Sequence, residues 1–297
     1  MFHQAVLLKE SIGGLNINPG GIYVDATFGG GGHSKRILEE LGRGWLVAFD
    51  QDLAAQANIM EDERLIFIPH NFGNTTKSPR CLGFQKLDGI LADLGVSSHH
   101  LDSPERGFSF RYEAPLDMRM NQKSTLTAAE VLNTYTPSRL LEIFRQYGEL
   151  KKARFIVEAI IQERAKSNIE HTGDLVELLS GLTPVKQRNK FLARIFQALR
   201  IEVNGEVESL KYFLTQSKEM LKKGGRLAVI SYHSVEDRTV KNYIKTGNFE
   251  GRVEKDFYGQ MQVPWQMINK KVITPGAEEL RGNNRARSAK LRIAEKL

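Results

Sequence analysis

Side chains that could do chemistry follow short apolar runs at four places along the chain. The runs are IYVDA, WLVAFD, LDGILAD and GGRLAVISYH, and the side chains are Asp25, Asp50, Asp93 and His233. Carboxylates accept hydrogen bonds from hydroxyl or amino groups, and histidine both accepts and donates protons near neutral pH. For His233, which Glu236 follows three residues later, a structural role and a role in a site remain equally open.

Four consecutive glycines, Gly29 to Gly32, stand between the first two of these runs. Bare backbone lets a ligand approach closely, so a phosphate, a dinucleotide and an S-adenosyl group are the alternatives. A Walker-type loop needs Lys followed by Ser or Thr directly after its last glycine, whereas Gly32 is followed by His33 and Ser34. A dinucleotide fingerprint that begins at Gly29 needs a third glycine where Ser34 stands, so this signal is weak.

An S-adenosylmethionine site fits the glycine run better, because this ligand has no pyrophosphate to place at a helix N-terminus. It needs bare backbone beside its amino acid portion and an acid one strand later for the ribose hydroxyls, the place of Asp50. That acid would serve a nicotinamide ribose equally well, or be a simple strand-end residue. Asp93 discriminates better, because a carboxylate beside the crevice of a doubly wound sheet can accept a hydrogen bond from an amino group.

Strands and helices alternate in the first third of the chain, which predicts a doubly wound α/β sheet. We predict strands at 22–26, 45–50, 65–69 and 87–93, and helices at 34–41 and in LAAQANIM. Strand character returns at 224–233, in KKVITP and in SAKLRIAEK. The simplest account is a sheet domain formed by residues 1–103 and 204–297, interrupted by a helical insertion at 104–203.

Two amphipathic stripes in this insertion predict buried helix faces. Their members are Leu140, Leu141, Phe144 and Tyr147, and Phe191, Ile195, Phe196 and Leu199. The preceding stretch, SSHHLDSPERGFSFRYEAPLDMRM, has no period. Its aromatic residues and Gly107 predict an ordered, functional loop rather than a disordered one.

Composition narrows the classes of partner and compartment. The formal net charge is +7, which favours a polyanionic partner. Six Lys or Arg and one Glu lie between Arg281 and Leu297. The single cysteine, Cys81, excludes an intramolecular disulfide and a cysteine-rich metal site, and no metal is predicted. Because no apolar stretch reaches about 18 residues, we expect a cytoplasmic protein without membrane association.

Seven segments together resemble one protein family over almost the whole chain. They are HQAVLLKESI, IYVDATFGGGGHSKRIL, AFDQD, LDGILADLGVSSHHLDSPERGFSFRYEAPLDMRM, FQALRIEVNGE, GGRLAVISYHSVEDRTVK and NNRARSAKLRIAEK. The family is the bacterial 16S rRNA (cytosine-N4)-methyltransferases of the RsmH (MraW) type. The resemblance implies a class I, Rossmann-like methyltransferase sheet with an inserted helical domain for substrate recognition. It also implies methyl transfer from S-adenosyl-L-methionine to N4 of a cytidine in the decoding centre of 16S rRNA.

Residues that match the family's cofactor contacts follow by position. They are Gly31, Gly32, His33, Asp50, Phe72, Asp93 and His100. The family often has Gln at the position of His100. Where many members read His-Pro-Ala-Thr-Arg, this chain has 190–194, KFLAR, so that only Arg194 is retained.

Methylation of a cytosine amine sets the remaining expectations. The N4 lone pair is delocalised into the ring, so Asp93, or a backbone carbonyl in DLGVSS, is expected to accept a hydrogen bond from N4. Phe108 and Phe110 either wall the base or pack the loop onto the core. Asp117 is a second polar candidate, and His233 is expected on the opposite rim. The candidate phosphate contacts are the basic C-terminal strand and Arg111, Arg119, Arg194, Arg285 and Arg287.

Two other functions use the same sheet. A nicotinamide-dependent oxidoreductase would bind NAD(P), which the broken fingerprint disfavours. A non-catalytic RNA-binding or assembly protein would keep an idle methyltransferase fold. The predicted partner is 16S rRNA, in the free state or within the small ribosomal subunit, and a homodimer is compatible with the sequence.

Overall fold

The computed structural model describes residues 5–71, 82–95, 103–259 and 263–297. The chain divides into two compact units, which we call the sheet unit and the helical unit. The sheet unit consists of Met1–Gly95 and Val207–Leu297, and the helical unit of Val96–Glu206. The sequence placed these boundaries at 103/104 and 203/204. The role of the helical unit in substrate recognition stays a prediction.

Seven strands in the described residues form one sheet, in the order β3-β2-β1-β4-β5-β7-β6. The strands are Ile22–Asp25 (β1), Trp45–Phe49 (β2), Leu65–Ile68 (β3), Leu87–Asp93 (β4), Leu221–Ser231 (β5), Trp265–Met267 (β6) and Lys290–Lys296 (β7). Neighbours from β3 to β5 pair in parallel, and β7 is antiparallel to β5 and β6. The predicted α/β fold class is confirmed.

Some helices of the described residues connect strands of the sheet unit, and the others form the helical unit. They are Leu8–Leu15 (α1), Gly32–Glu40 (α2), Ala128–Thr134 (α3), Pro137–Gln146 (α4), Ala153–Arg164 (α5), Thr172–Leu178 (α6), Arg188–Asn204 (α7), Glu206–Met220 (α8), Ser234–Thr246 (α9) and Ala277–Gly282 (α10). Within the described ranges, none of these helices has the length and apolarity needed to cross a bilayer.

Apolar side chains on both faces of the sheet explain why helices cover it on two sides. Val24 points to one face and belongs to the cluster that contains Phe213 of α8 and Val240 of α9. Its neighbour Tyr23 points to the other face and belongs to the cluster that contains Ile12 of α1 and Ile37 of α2. Alternate residues of a strand face opposite sides, so the sheet is covered as in a doubly wound fold.

The order of strands reverses between β1 and β4. The chain leaves β1 toward β2 and β3 on one side, and β4 and β5 lie on the other side. At such a switch point the loops after the two strands diverge and leave a crevice beyond the carboxyl ends. Asp25 and Asp93 are the last residues of β1 and β4, so both lie at this edge.

Three local predictions were wrong in part. LAAQANIM forms only a 3₁₀ helix, Leu53–Asn58, which Asp52 caps by accepting a hydrogen bond from the Ala54 amide. Helix α2 begins at Gly32 rather than at residue 34. KKVITP forms no strand, because only Ile273 pairs with Leu291 of β7 in an isolated bridge. The outer strand there is β6, which pairs with 294–296 of β7.

The helical unit has its own apolar core, and both predicted stripes contribute to it. Leu140, Phe144, Ile195, Phe196 and Leu199 are buried, whereas Leu141, Tyr147 and Phe191 pack against the core while partly exposed. The predicted packing role of these stripes is confirmed. Thr127 and Glu130 form a capping box at the start of α3, and Thr136 caps α4 ahead of Pro137.

Candidate active site

Asp25 anchors the start of the glycine loop from within the protein. Its side chain is buried at the end of β1. Oδ2 accepts a hydrogen bond from Ser34 Oγ at 2.6 Å, and Oδ1 accepts one from the Thr27 amide at 3.1 Å. The carboxylate therefore ties the strand to the first turn of α2 across the loop. The sequence showed the acid at a strand end but not this role, which depends on the packing of Ser34.

The glycine loop is held by Asp50 and Asn58 on its outer side. The Gly29 amide donates to Asp50 Oδ2 at 2.7 Å, and Asn58 Nδ2 donates to the Gly29 carbonyl at 3.0 Å. Gly31 has φ of +74°, a conformation that favours glycine, and precedes the first residue of α2. A Cβ at Gly32 would lie 2.9 Å from the Ala5 Cβ. Gly31 is thus required for the tight turn, and Gly32 for close packing.

Asp50 follows β2 and faces the same edge as Asp25. Its Oδ1 also accepts a hydrogen bond from the Asp52 amide at 2.8 Å. Burial raises the pKa of the Asp50 carboxyl, and the charges of Asp52 and Asp25 act in the same direction, against the two amide hydrogen bonds that lower it. Each oxygen of a carboxylate has a second lone pair, so Asp50 keeps acceptor capacity for a ligand hydroxyl.

Asp93 ends β4 and is partly exposed, whereas Asp25 is buried. The Asp93 side chain is 22% exposed. The Asp93 amide donates to Thr27 Oγ1 at 2.6 Å, and the Tyr232 hydroxyl donates to Asp93 Oδ1 at 2.8 Å. Burial raises the pKa of Asp93 to about 6, while His33 and the Tyr232 hydrogen bond oppose the rise. A carboxylate in this state accepts protons readily near neutral pH.

His33 points into the protein rather than out of the loop. It is only 5% exposed. Its Nε2 lies 3.0 Å from the Val6 carbonyl, which can only accept, so Nε2 carries the proton. Its Nδ1 lies 3.9 Å from Asp93 Oδ2. The ring therefore fixes the preceding segment and faces Asp93, and the predicted contact of His33 with the cofactor stays a prediction.

The chemistry of this edge fits the predicted cofactor. Asp25, Asp50 and Asp93 lie there, and in the described ranges no lysine or arginine forms an ion pair with them. Such an edge has a negative potential that favours a cation. S-adenosylmethionine carries a sulfonium and an ammonium group, together with ribose hydroxyls that carboxylates accept.

His233 has a structural role at the start of α9. Its Nδ1 accepts a hydrogen bond from the Glu236 amide at 3.3 Å, and Glu236 Oε2 lies 3.3 Å from the His233 amide in a capping box. The predicted catalytic role of His233 stays a prediction. The capping box supports the structural role for His233 that the sequence left open.

Two cations of the basic C-terminal strand pair with an acidic side chain of the same protein. Arg292 Nε donates to Asp237 at 2.7 Å, and Lys290 Nζ donates to the same carboxylate at 3.3 Å. Burial acts to raise the pKa of Asp237, but the hydrogen bond and charge of Arg292, with the charge of Lys290, hold it below its ordinary value. These two cations therefore serve the fold. Arg285 and Arg287 are exposed in the 3₁₀ helix Asn284–Ser288 that precedes β7.

In the helical unit, Asp117 and Arg119 satisfy each other. Arg119 Nε and Nη2 donate to Asp117 Oδ1 and Oδ2 at 2.8 and 2.6 Å, a bidentate pair. Burial acts to raise the pKa of Asp117, but the hydrogen bonds and charge of Arg119 hold it below its ordinary value. Asp117 is thus a poor proton acceptor, and Arg119 has little charge to offer a phosphate.

The two predicted aromatic walls pack within the helical unit. Phe108 is 7% exposed and belongs to the core. Phe110 packs against Phe196 edge to face, with ring centroids 5.6 Å apart. This arrangement matches the packing alternative for both rings. Of the other candidates in this unit, Arg111 is exposed and Arg194 lies half-buried on α7.

Two predicted cofactor contacts, Phe72 and His100, lie outside the described residues. The structure places Gly31, Gly32, His33, Asp50 and Asp93 together at the carboxyl edge of the sheet. Asp117, Phe108, Phe110 and their arginine neighbours belong to the helical unit. Tyr232 was missed by the sequence analysis, because its link to Asp93 depends on pairing of β4 with β5.

Known proteins resemble this chain along its whole length. A protein of Phocaeicola vulgatus named ribosomal RNA small subunit methyltransferase H is 54% identical over 297 residues, covering 100% of this chain and 98% of the relative. The same name belongs to a 55% identical protein of Flavobacterium johnsoniae, with coverage of 100% and 98%. The family model described as the MraW methylase family matches residues 1–297. The chain therefore belongs to the MraW methylase family of S-adenosylmethionine-dependent methyltransferases, the family that its sequence motifs indicated.

Proposed function

We propose that this protein transfers a methyl group from S-adenosyl-L-methionine to the exocyclic N4 of a cytidine in the decoding centre of 16S rRNA. The relatives at 54% and 55% identity are named as methyltransferases of small-subunit ribosomal RNA, which supports an RNA substrate. The observation that carries the reaction is the partly open carboxylate of Asp93 at the end of β4, beside the glycine loop.

Asp93 has the properties that methylation of an amine requires. S-adenosylmethionine, when bound, supplies an electrophilic methyl group whose carbon–sulfur bond breaks as the N4–carbon bond forms. Asp93 accepts a hydrogen bond from N4, which draws the nitrogen lone pair out of conjugation with the ring. N4 must also lose a proton after attack. The Asp93 carboxylate can receive this proton, because the pKa of its carboxyl is about 6.

Asp50 and the loop backbone hold the cofactor in this proposal. Asp50 is bound to the Gly29 amide and retains lone pairs for the ribose hydroxyls. Replacing Asp50 with Ala removes both the ribose acceptor and the support of the loop. Because a hydrogen bond to a charged group contributes about 1.5–3 kcal/mol, we expect the Kd for S-adenosylmethionine to rise roughly 10- to 150-fold.

Calorimetric titration with S-adenosylmethionine measures this change. Asp62→Asn is the control, because Asp62 pairs with Arg64 and takes no part in the loop. An unchanged Kd in Asp50→Ala would show that the cofactor lies elsewhere.

The start of α7 offers the RNA a cationic surface. Lys186, Arg188, Lys190 and Arg194 fall in 178–201, a stretch without Asp or Glu. Lys186 and Lys190 are exposed, and in the described ranges neither forms an ion pair with an acid. Phosphates release counterions when lysines neutralise them, so such a surface gives salt-dependent affinity. We therefore add these lysines to Arg111, Arg194, Arg285 and Arg287 as candidate phosphate contacts.

Removal of the two lysines should reduce that salt dependence. The double variant Lys186→Gln, Lys190→Gln is expected to lower the slope of log K against log salt by about 1.4 to 1.8, at 0.7–0.9 per lost contact. Binding to 16S rRNA at several salt concentrations measures it. Lys166→Gln is the control, since Lys166 pairs with Glu163. A slope equal to that of the wild type would remove these lysines from the interface.

Nucleoside analysis tests the reaction itself. Small subunits and free 16S rRNA that lack the modification are incubated with the protein and S-adenosylmethionine, and digested nucleosides are separated by mass spectrometry. We expect N4-methylcytidine that depends on both protein and cofactor. Methyl groups on another nucleoside would refute the N4 assignment, and cofactor binding without any transfer would favour a non-catalytic RNA-binding protein.

A further inference from the structure

Tyr232 reaches Asp93 from the neighbouring strand. It directly follows β5, which pairs in parallel with β4 so that Asp93 lies opposite Ile230. Its hydroxyl donates to Asp93 Oδ1 at 2.8 Å. Burial raises the pKa of Tyr232 far above its usual value, and the charge of Asp93 adds to this rise. The hydroxyl therefore remains protonated and acts only as a donor to the carboxylate.

Two further contacts fix the position of Tyr232. Its backbone amide donates to Glu236 Oε2 at 2.9 Å, which ties the residue to the first turn of α9. Its ring lies against Gly95, where an added Cβ would be 3.3 Å from the ring carbon Cδ2. Backbone and ring are both constrained, so the hydroxyl has a defined direction toward Asp93.

The second oxygen of Asp93 has a different environment. His33 Nδ1 lies 3.9 Å from Oδ2, beyond hydrogen-bond distance, and the other ring nitrogen, Nε2, is directed at the Val6 carbonyl. Within the described residues, the side-chain hydrogen bond to this carboxylate is therefore directed at Oδ1. The Oδ2 side of Asp93 keeps its acceptor capacity.

We propose that Tyr232 is a positioning residue of the methyl-transfer site, which holds Asp93 by Oδ1 and so orients Oδ2 to accept from the substrate amine. This inference rests on the proposed function of Asp93. A fixed acceptor lies close to the geometry that attack requires, whereas a rotating carboxylate would lose part of that advantage. The hydroxyl also favours the ionised carboxylate, which is the form that accepts.

Four charged or titratable groups face Asp93 from the surrounding elements. His33 on α2 and Tyr232 after β5 favour the ionised form, whereas Asp25 on β1 and Glu236 on α9 disfavour it. Burial, Asp25 and Glu236 raise the pKa of Asp93, and loss of the Tyr232 hydroxyl removes one of the two groups that lower it. The pKa of Asp93 must then rise, so the carboxylate becomes protonated at a higher pH than in the wild type.

Tyr232→Phe tests this inference because it removes one oxygen and keeps the ring. In wild type, kcat should rise with pH through about 6 as Asp93 ionises. In Tyr232→Phe we expect this limb to move up by about one pH unit when S-adenosylmethionine is saturating. Tyr23→Phe is the matched control, since its hydroxyl accepts from the Asn18 amide on another part of the sheet. It should leave the limb in place.

A titration independent of turnover separates this inference from the proposed function. Carboxyl carbon NMR of the full protein follows the ionisation of Asp93 directly in wild type and in Tyr232→Phe. A higher midpoint in the variant supports the positioning role even if another nucleoside proves to be the substrate. An equal midpoint, or a loss of kcat that is the same at every pH, would overturn it.

Discussion

Asp93→Asn is expected to reduce kcat for methyl transfer by roughly 10²- to 10⁴-fold while the protein remains folded. Asparagine has the same shape and still offers Tyr232 an acceptor oxygen, but it cannot take a proton. Burial raises the pKa of Asp93 to about 6, so its charged form is unfavourable in the folded protein. Removing this charge therefore costs less folding stability than removing one partner of a buried ion pair. Single-turnover kinetics at saturating S-adenosylmethionine measure the step directly.

The control for this variant is Asp62→Asn, which makes the same chemical change at an acid that pairs with Arg64. It should leave kcat within about twofold of wild type, as substitutions away from a site usually do. Full turnover by Asp93→Asn would exclude Asp93 as the proton acceptor in methyl transfer. Circular dichroism confirms that the variant is folded.

Gly107→Ala should destabilise the helical unit by about 2 to 4 kcal/mol. Gly107 has φ of +69°, a conformation that costs other residues about 1–2 kcal/mol. An added Cβ would also overlap the Pro115 carbonyl oxygen and lie 3.1 Å from the Asp117 amide. The variant must separate two segments that pack together through the Met118 amide and the Arg106 carbonyl, 3.0 Å apart.

Two optical probes can assign this loss to one unit. Both tryptophans, Trp45 and Trp265, belong to the sheet unit. Urea unfolding should therefore shift to lower concentration in the helical circular dichroism signal more than in tryptophan fluorescence. Gly181→Ala is the control, because nothing lies within 4 Å of its added Cβ. Equal transitions for Gly107→Ala and wild type would contradict the expected clash.

Much of the fold was predictable because apolar runs and their spacing determine which segments are buried. The strands that end at Asp25 and Asp93 were recognised from such runs, and the stripe through Phe144 and Leu140 defined a helix face. The outer part of the sheet was not predictable in the same way. Trp265–Met267 is only three residues long, and its strand conformation depends on hydrogen bonds to β7 rather than on a local pattern.

In the site too, the positions of residues after strands were predictable, whereas their side-chain partners were not. Asp50 and Asp93 were expected from their places after strands, and membership of a methylase family confirms S-adenosylmethionine over a nicotinamide cofactor. Side-chain partners were beyond the sequence. Nothing local pairs Asp117 with Arg119 in preference to a ligand, and the inward orientation of His33 depends on the Val6 carbonyl. The role of Tyr232 depends on a strand that is distant in sequence.

The placement of the helical unit between β4 and β5 has a kinetic consequence. These strands pair side by side, yet all of Val96–Glu206 lies between them in sequence. The helical unit is one continuous segment rich in local contacts, a topology that folds fast, whereas closing the sheet across it is a long-range step. We therefore expect the helical unit to form early in refolding, and completion of the sheet to set the slow phase that restores methyl-donor binding.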